Sequence, residues 1–311
     1  MSADAQLTTT RRPAMGAEVE VTTDGGKLAV EAALTVVATL DARWSRFRAD
    51  SELSQLNSAD GPALARPSTA RIIEVALAGS RLTRGWFDPT RGAEIRAAGY
   101  RTTQSDGWGP AHTPPNRNVT VDTDPGTGLV TIPAGAEIDL GGIAKGWTAD
   151  LAAELLSQSR ATYAGVSIGG DVRVISQTRA LLEIAAPGGD LPPAVVGLKN
   201  GGVAVSGPTR RRSHDGRHHL IDPFTQRPAS APRVAAVIAA SAAGAEMIAT
   251  AAAIAPLDDA VEIIDTLGAT AWLVEADGSL TTVGTPQRYL LDPGWLATPN
   301  DREWMLREWK A

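Results

Sequence analysis

Apolar and polar residues alternate in AEVEVTT (17–23), the period of a half-buried strand, and the pattern breaks at Asp24-Gly25-Gly26. Beyond that turn Leu34, Val37 and Leu40 recur at helical spacing, so the strand feeds a helix reaching about Trp44. A second helix is predicted over 67–84, with Ile72, Val75, Ala76 and Gly79 on one face, until GWFDPTRG (85–92) breaks it. Residues 101–118 are polar and rich in Pro, Gly and Asn, the clearest loop in the chain, and VTVDTDPGTGLVTI (119–132) reads as a hairpin with a Pro-Gly turn. EIDLGG (137–142) reads as the end of a strand, and AKGWTADLAAELLSQS (144–159) as the helix after it. YAGVSIGGDVRVIS (163–176) and ALLEIAAPGG (180–189) read as strands with a turn between them. Residues 201–223 give two strands flanking a basic, His-containing turn. PRVAAVIAA is a buried strand, GAEMIATAAAIAP a helix ended by Pro256, 258–267 a short helix, and TAWLVEADGSLTTV (270–283) a closing hairpin. In the tail DREWMLREWKA, Trp304, Leu306, Arg307 and Trp309 fall at helical spacing.

Strands and helices do not alternate strictly and several hairpins look antiparallel. The fold class expected is therefore α+β, with mixed or antiparallel sheets flanked by helices, rather than a doubly wound parallel sheet. The divisions expected are a flexible tail (1–12), a main domain (13–284) and a C-terminal extension with a short helix (285–311). The formal charge of −6 argues against a general nucleic-acid binder, which would carry a basic stripe. The absence of cysteine excludes disulfides, thiolate metal sites, a cysteine nucleophile and a lipid-modified cysteine. The longest apolar stretch, 234–255, is Ala-rich and contains Glu246, a poor membrane span and a good buried strand plus helix. Arg11-Arg12 is followed by no apolar export segment, so the location expected is cytoplasmic.

Four stretches offer chemistry. In IDLGGIAKGW (138–147), Gly141 and Gly142 let backbone approach a ligand closely, the following helix presents free N–H groups suited to phosphate, and Lys145 adds charge. The same pattern also makes an ordinary strand-to-helix junction. Glu246 and Thr250 lie four apart on one helix face, where a carboxylate and a hydroxyl suit a hard ion such as Mg²⁺. The plainer reading is an exposed Glu and a Thr bonded back to its own helix. The turn SHDGRHHLIDP, near Arg210, Arg211, Arg212 and Arg217, suits anion recognition or proton transfer, or is simply a solvated basic turn. Trp86 and Phe87 beside Asp88 suit stacking on a flat ring, or a hydrophobic staple.

The order of these pieces resembles the FAD:protein FMN transferase (ApbE) family along most of residues 14–284. The matching blocks are AMG (14–16), RWSRFRADSELSQLN (43–57), GWFDPTRG, IDLGGIAKGWTAD, GVSIGGDVRV (165–174), VAVSG (203–207), HHLIDPFTQRP (218–228) and AEMIAT (245–250). The resemblance implies an ApbE-like fold with an FAD cleft between two lobes. It implies Mg²⁺-dependent transfer of FMN from FAD onto a Thr or Ser hydroxyl of an acceptor protein, with release of AMP. Position by position, it implies FAD contacts at Met15, Phe47, Trp86, Phe87, Asp88, Asp139, Lys145 and Leu220. It implies metal ligands at Gly142 (by its carbonyl), Glu246 and Thr250, and acid–base work at His219, with Asp222 a second candidate base.

Four positions depart from the family pattern. Glu246 stands where Asp is usual, Phe47 where Tyr is common, Arg91 where a small apolar residue is usual, and Gln226 where a Thr-Gly turn is frequent. Two other readings stay open: an FAD pyrophosphatase giving FMN and AMP, since the same site would serve water in place of the acceptor, and a flavin-binding protein without turnover, which the Glu246 departure motivates.

Overall fold

The computed structural model describes residues 7–97, 120–184, 194–208, 220–230 and 232–291. The elements in chain order are β1 (Thr8–Ala14), β2 (Ala17–Thr23), α1 (Gly26–Trp44), α2 (Glu52–Asn57), β3 (Ala63–Leu64), α3 (Pro67–Leu82), α4 (Gly92–Ala97), β4 (Asp122–Asp124) and β5 (Leu129–Thr131). They continue with α5 (Ala144–Gln158), β6 (Tyr163–Ile168), β7 (Asp171–Ile184), β8 (Ala194–Ser206), β9 (Ile221–Asp222), β10 (Arg227–Pro228) and β11 (Val234–Ala239). The chain closes with α6 (Ala242–Ile254), α7 (Leu257–Thr266), β12 (Thr270–Val274) and β13 (Leu280–Val283).

Eight strands form one sheet in the order β1-β2-β6-β7-β8-β11-β12-β13, and every neighbouring pair runs antiparallel. The α+β class expected from the sequence is the class observed. Strand β11 shows why its sequence is an unbroken apolar run rather than an alternating one. Ala235 and Val237 face the core built with α6 and α7, while Ala236 and Ile238 face a second core with Val174, Val196 and Trp272. Both faces of the strand are covered, so neither can be polar. Helix α1 buries a stripe at three- and four-residue spacing: Val30, Ala33, Leu34 and Val37 against α5 and the β2–β6 face, and Leu40 and Trp44 in the core shared with α2 and α3.

Three sequence expectations are corrected. Residues 8–12, expected as tail, belong to β1, which pairs along its whole length with β2. Its signal is missed because an edge strand is polar: Thr8, Thr9 and Thr10 favour extended backbone, and Arg11 and Arg12 reach Glu20 and Glu31 rather than a core. The residues 180–184 are not a separate strand but the far half of β7, whose pairing with β8 shifts register between Ile175 and Ala180.

Segment 137–142 is not a strand either; it makes one isolated bridge, Glu137 to Arg91. The side chain of Asn57 takes both backbone groups of Ile138, donating to its carbonyl at 2.9 Å and accepting from its N–H at 2.8 Å. The Asp139 N–H goes to the Pro89 carbonyl. With its backbone partners supplied by a side chain and a loop, this apolar stretch needs no sheet neighbour. Of the extension expected at 285–311, residues 289–291 bond to β8 at Val195 and Gly197; the helix expected at 301–311 lies outside the described residues. No described helix is long and apolar enough to cross a membrane.

Candidate active site

The glycine-rich turn and the 246/250 face of α6 meet. Helix α5 starts at Ala144 without a side-chain cap, and its early N–H groups find other partners: Ala144 donates to the Leu140 carbonyl and Gly146 to Glu246 Oε2, both at 2.8 Å. The helices approach closely because residue 146 is glycine: a Cβ there would lie 2.4 Å from the Ala242 carbonyl oxygen. Gly142 lies against Phe87 and Thr250; a Cβ on it would come within 2.9 Å of the Phe87 ring and 3.3 Å of Thr250 Oγ1. Thr250 Oγ1 is itself 3.4 Å from Ser206 Oγ at the end of β8.

Lys145 sits between two acids. Its Nζ donates to Asp171 Oδ2 at 2.5 Å and to Glu246 Oε1. All three side chains are largely buried, Glu246 most of all at 3% exposure. Burial works against the ammonium, but the charges of Asp171 and Glu246 outweigh it and hold the Lys145 pKa above the usual lysine value. Burial, with the Asp171 charge added, pushes Glu246 up to about 7 against the pull of Lys145 and the Gly146 N–H. With Glu246 ionised, two carboxylates face one ammonium and leave one negative charge in excess, a charge that a bound cation would stabilise.

The frame around this centre is itself ionic. Asp150, on the next turns of α5, accepts from the N–H groups of Ala242 and Ala243 at 2.8 and 3.0 Å, an acid at the positive end of α6. Arg173 Nε lies 3.1 Å from the same carboxylate. Asp139 accepts from the Gly141 N–H at 2.6 Å and pairs with Arg46 at 2.9 Å. Asp88 accepts from the N–H and hydroxyl of Thr90 and pairs with Arg91, which also reaches Glu94.

Sequence comparison places this arrangement. The ApbE family model matches residues 15–274. The chain belongs to the ApbE family. Among curated relatives it is 27% identical over 224 residues to the FAD:protein FMN transferase of Haemophilus influenzae, covering 62% of each chain. It is 29% identical over 230 residues to that of Treponema pallidum, covering 65% of this chain and 64% of the relative. The match thus spans less than two thirds of those relatives' length. Among solved structures, the ApbE protein of Thermotoga maritima superposes with a TM-score of 0.80 at 26% identity, covering 91% of this chain and 98% of the other. The flavin transferase ApbE of Vibrio cholerae, at 20% identity and a TM-score of 0.74 over 92% of this chain and 99% of the other, shares the fold.

Within this ApbE fold, Gly142, Lys145, Glu246, Thr250 and Phe87 lie together. Met15 occupies the β1–β2 turn with a left-handed φ of 53°, packed against two of the hydrophobic cores. Phe47 is 39% exposed, with the Arg46 guanidinium 4.4 Å above its ring. Trp86 meets the edge of Phe224 at 4.6 Å, which draws the β9–β10 turn to the same side. Leu220 is buried in the core beneath α6. Asp222 Oδ1 accepts from the N–H groups of Phe224 and Thr225, closing that turn. His219 lies outside the described residues.

The sequence reading missed Asn57, Arg46, Asp150, Asp171 and Ser206. All five stand inside the quoted blocks, so the signal was present. The partners of Asn57, Asp150 and Asp171 lie 81, 92 and 26 residues away, and only the fold pairs them.

Proposed function

We propose that this chain is an FAD:protein FMN transferase: it splits the diphosphate of FAD, joins FMN to a Thr or Ser hydroxyl of an acceptor protein and releases AMP. The observation that carries this reading is the meeting of the 139–146 turn with Glu246 and Thr250, through the Gly146–Glu246 hydrogen bond and the approach of Gly142 to Thr250. Family membership and the activity named for the relatives support it.

The residues present fit a hard divalent cation. Gly142 leaves backbone bare beside the Thr250 hydroxyl, the donors are all oxygen, and the two acids leave one negative charge in excess. Among the described residues no three acids or histidines gather in one cluster, so the set rests on one carboxylate, one carbonyl and one hydroxyl. Gly142, Glu246 and Thr250 would hold Mg²⁺, which when bound offsets charge on the diphosphate and on departing AMP.

The chain's own groups supply the rest. The early N–H groups of α5 and the ammonium of Lys145 turn positive charge toward the diphosphate. Phe87 covers Gly142 on one side and excludes water there. Met15, Phe47 and Trp86 offer apolar surface to the flavin and adenine rings, while buried Leu220 backs the site from the core and would meet FAD through its backbone. The acceptor oxygen attacks the FMN-side phosphorus as the bond to AMP breaks, and its proton passes to His219 or Asp222. The site acts by positioning and charge stabilisation more than by covalent chemistry.

Incubation with FAD, Mg²⁺ and an acceptor protein carrying a Thr site is expected to give a fluorescent, covalently flavinylated band and stoichiometric AMP. AMP release that needs no acceptor would point to the pyrophosphatase instead. A yellow, FAD-bound protein that never releases AMP would remove both activities; Glu246→Asp would then show whether one methylene is the obstacle.

A further inference from the structure

Asp171 has no part in the mechanism above, yet it is the first residue of β7, 4% exposed, and its carboxylate ends on Lys145. Among the described residues that is the one side-chain hydrogen bond it makes. The turn before it is built for the contact. Gly169 and Gly170 have φ of 60° and 91°, the left-handed pair that a two-residue hairpin needs. A Cβ on Gly169 would lie 3.7 Å from Lys145 Cδ and 2.9 Å from Ala17 Cβ. The hairpin therefore lies along the aliphatic stem of Lys145 and delivers Asp171 to its head.

Glu246 has two claimants: the Lys145 ammonium and, on the reading proposed above, the divalent cation. Both carry positive charge and both need the same carboxylate. When the cation takes Glu246, a lysine with no other anion would be left buried and unpaired, which costs several kcal/mol. It would be held on Glu246 instead and would compete with the ion.

We propose that Asp171 is a positioning residue that keeps Lys145 seated while Glu246 turns to the metal. Its carboxylate gives the ammonium a permanent partner, so that Glu246 can change partners without stranding the buried charge. This rests on the FMN-transferase reading and adds to it the residue that makes a lysine and a cation compatible at one acid.

The test is an Mg²⁺ titration of FAD binding, followed by flavin fluorescence anisotropy on the full chain without acceptor. The wild type is expected to bind FAD with a saturable Mg²⁺ midpoint. In Asp171→Asn the midpoint is expected to rise about tenfold or more, with the same amplitude at high Mg²⁺, and Asp171→Glu is expected to restore most of it. The double variant Asp171→Asn with Lys145→Met removes the competing ammonium; because Lys145 itself serves FAD binding, this arm is read by calorimetric titration of Mg²⁺ into the FAD-free chain, beside the wild type and Asp171→Asn, and its Mg²⁺ midpoint is expected to return to the wild-type value or below. This arm carries the test where Asp171→Asn alone does not fold. An unchanged midpoint in folded Asp171→Asn, a loss that high Mg²⁺ does not recover, or a raised midpoint in the double variant overturns the proposal. If wild-type FAD binding ignores Mg²⁺, the metal-dependent reading beneath it fails as well, an outcome visible before any variant is compared.

Discussion

The two ends of helix α6 hold charge in opposite ways. At its C-terminal end Arg233 donates to the carbonyls of Ala252 and Ala255 at 2.7 and 2.6 Å and to Glu275 at 2.6 Å. One cation meets one acid and the negative end of the helix, and the account closes. Toward its N-terminal end one ammonium meets two buried carboxylates, and an acid is left over. Chemically similar groups thus serve as a cap at one end and as a receptive site at the other. A cluster with unbalanced charge is one that a ligand can complete, whereas a balanced one has nothing to gain from a ligand.

The largest effect is expected from Lys145→Met. It leaves Asp171 and Glu246 buried with no counter-charge, and by the cost of breaking buried ion pairs it is expected to lower stability by about 3–5 kcal/mol in urea denaturation of the ligand-free chain. A cation in the first turn of a helix opposes the dipole, so without the two acids its loss would cost folding little. A loss under about 1 kcal/mol would return Lys145 to a purely ligand-directed role.

Arg233→Met is expected to cost about 3 kcal/mol, since two helix-end carbonyls lose their donor, while FAD affinity per folded molecule stays unchanged. Weaker FAD binding there would erase the distinction between the two ends. Glu246→Gln is the complementary change. Lys145 keeps Asp171, so melting is expected to move little, whereas FMN transfer is expected to fall about 100-fold, roughly 2.7 kcal/mol in barrier. A variant that melts early but transfers normally would make Glu246 structural.

The smallest effect sharpens the comparison with an acid away from both ends. Asp24 accepts from the Thr162 hydroxyl and from the N–H groups of Thr162 and Tyr163. Slight burial works against its charge, but these hydrogen bonds outweigh it and hold its pKa below the usual aspartate value. The charged form therefore favours the folded state. Its contribution is present above the unfolded pKa of about 3.9 and is lost as pH falls through the lower folded value. Asp24→Asn is expected to cost about 1 kcal/mol at pH 7, a deficit that shrinks below pH about 4; a pH-independent deficit would assign it to something other than charge.

Elements whose apolar pattern follows their own burial were plain in the sequence: α1, α3, α5 and β2 by their period, and β11 and β12, covered on both faces, by their unbroken apolar runs. The short helices α2 and α4 and the edge strand β1 were not, because their order comes from partners outside themselves. Glu52 of α2, for example, accepts from the Arg66 N–H and the Thr69 hydroxyl of the next helix. The site was legible as a set of residue types in order, and its glycines as places of close approach.

Periodicity and composition by themselves determined the fold class, the absence of thiol chemistry, and which stretches could hold phosphate or a hard cation, because those follow from local spacing and from atoms each residue owns. Only the tertiary structure decided that Ile138 needs no sheet partner, that Gly146 lets α5 touch α6, and that Lys145 shares its charge between Asp171 and Glu246. Those pairings join residues 26 to 101 positions apart, and a charge buried by folding has no defined partner until the chain has closed around it.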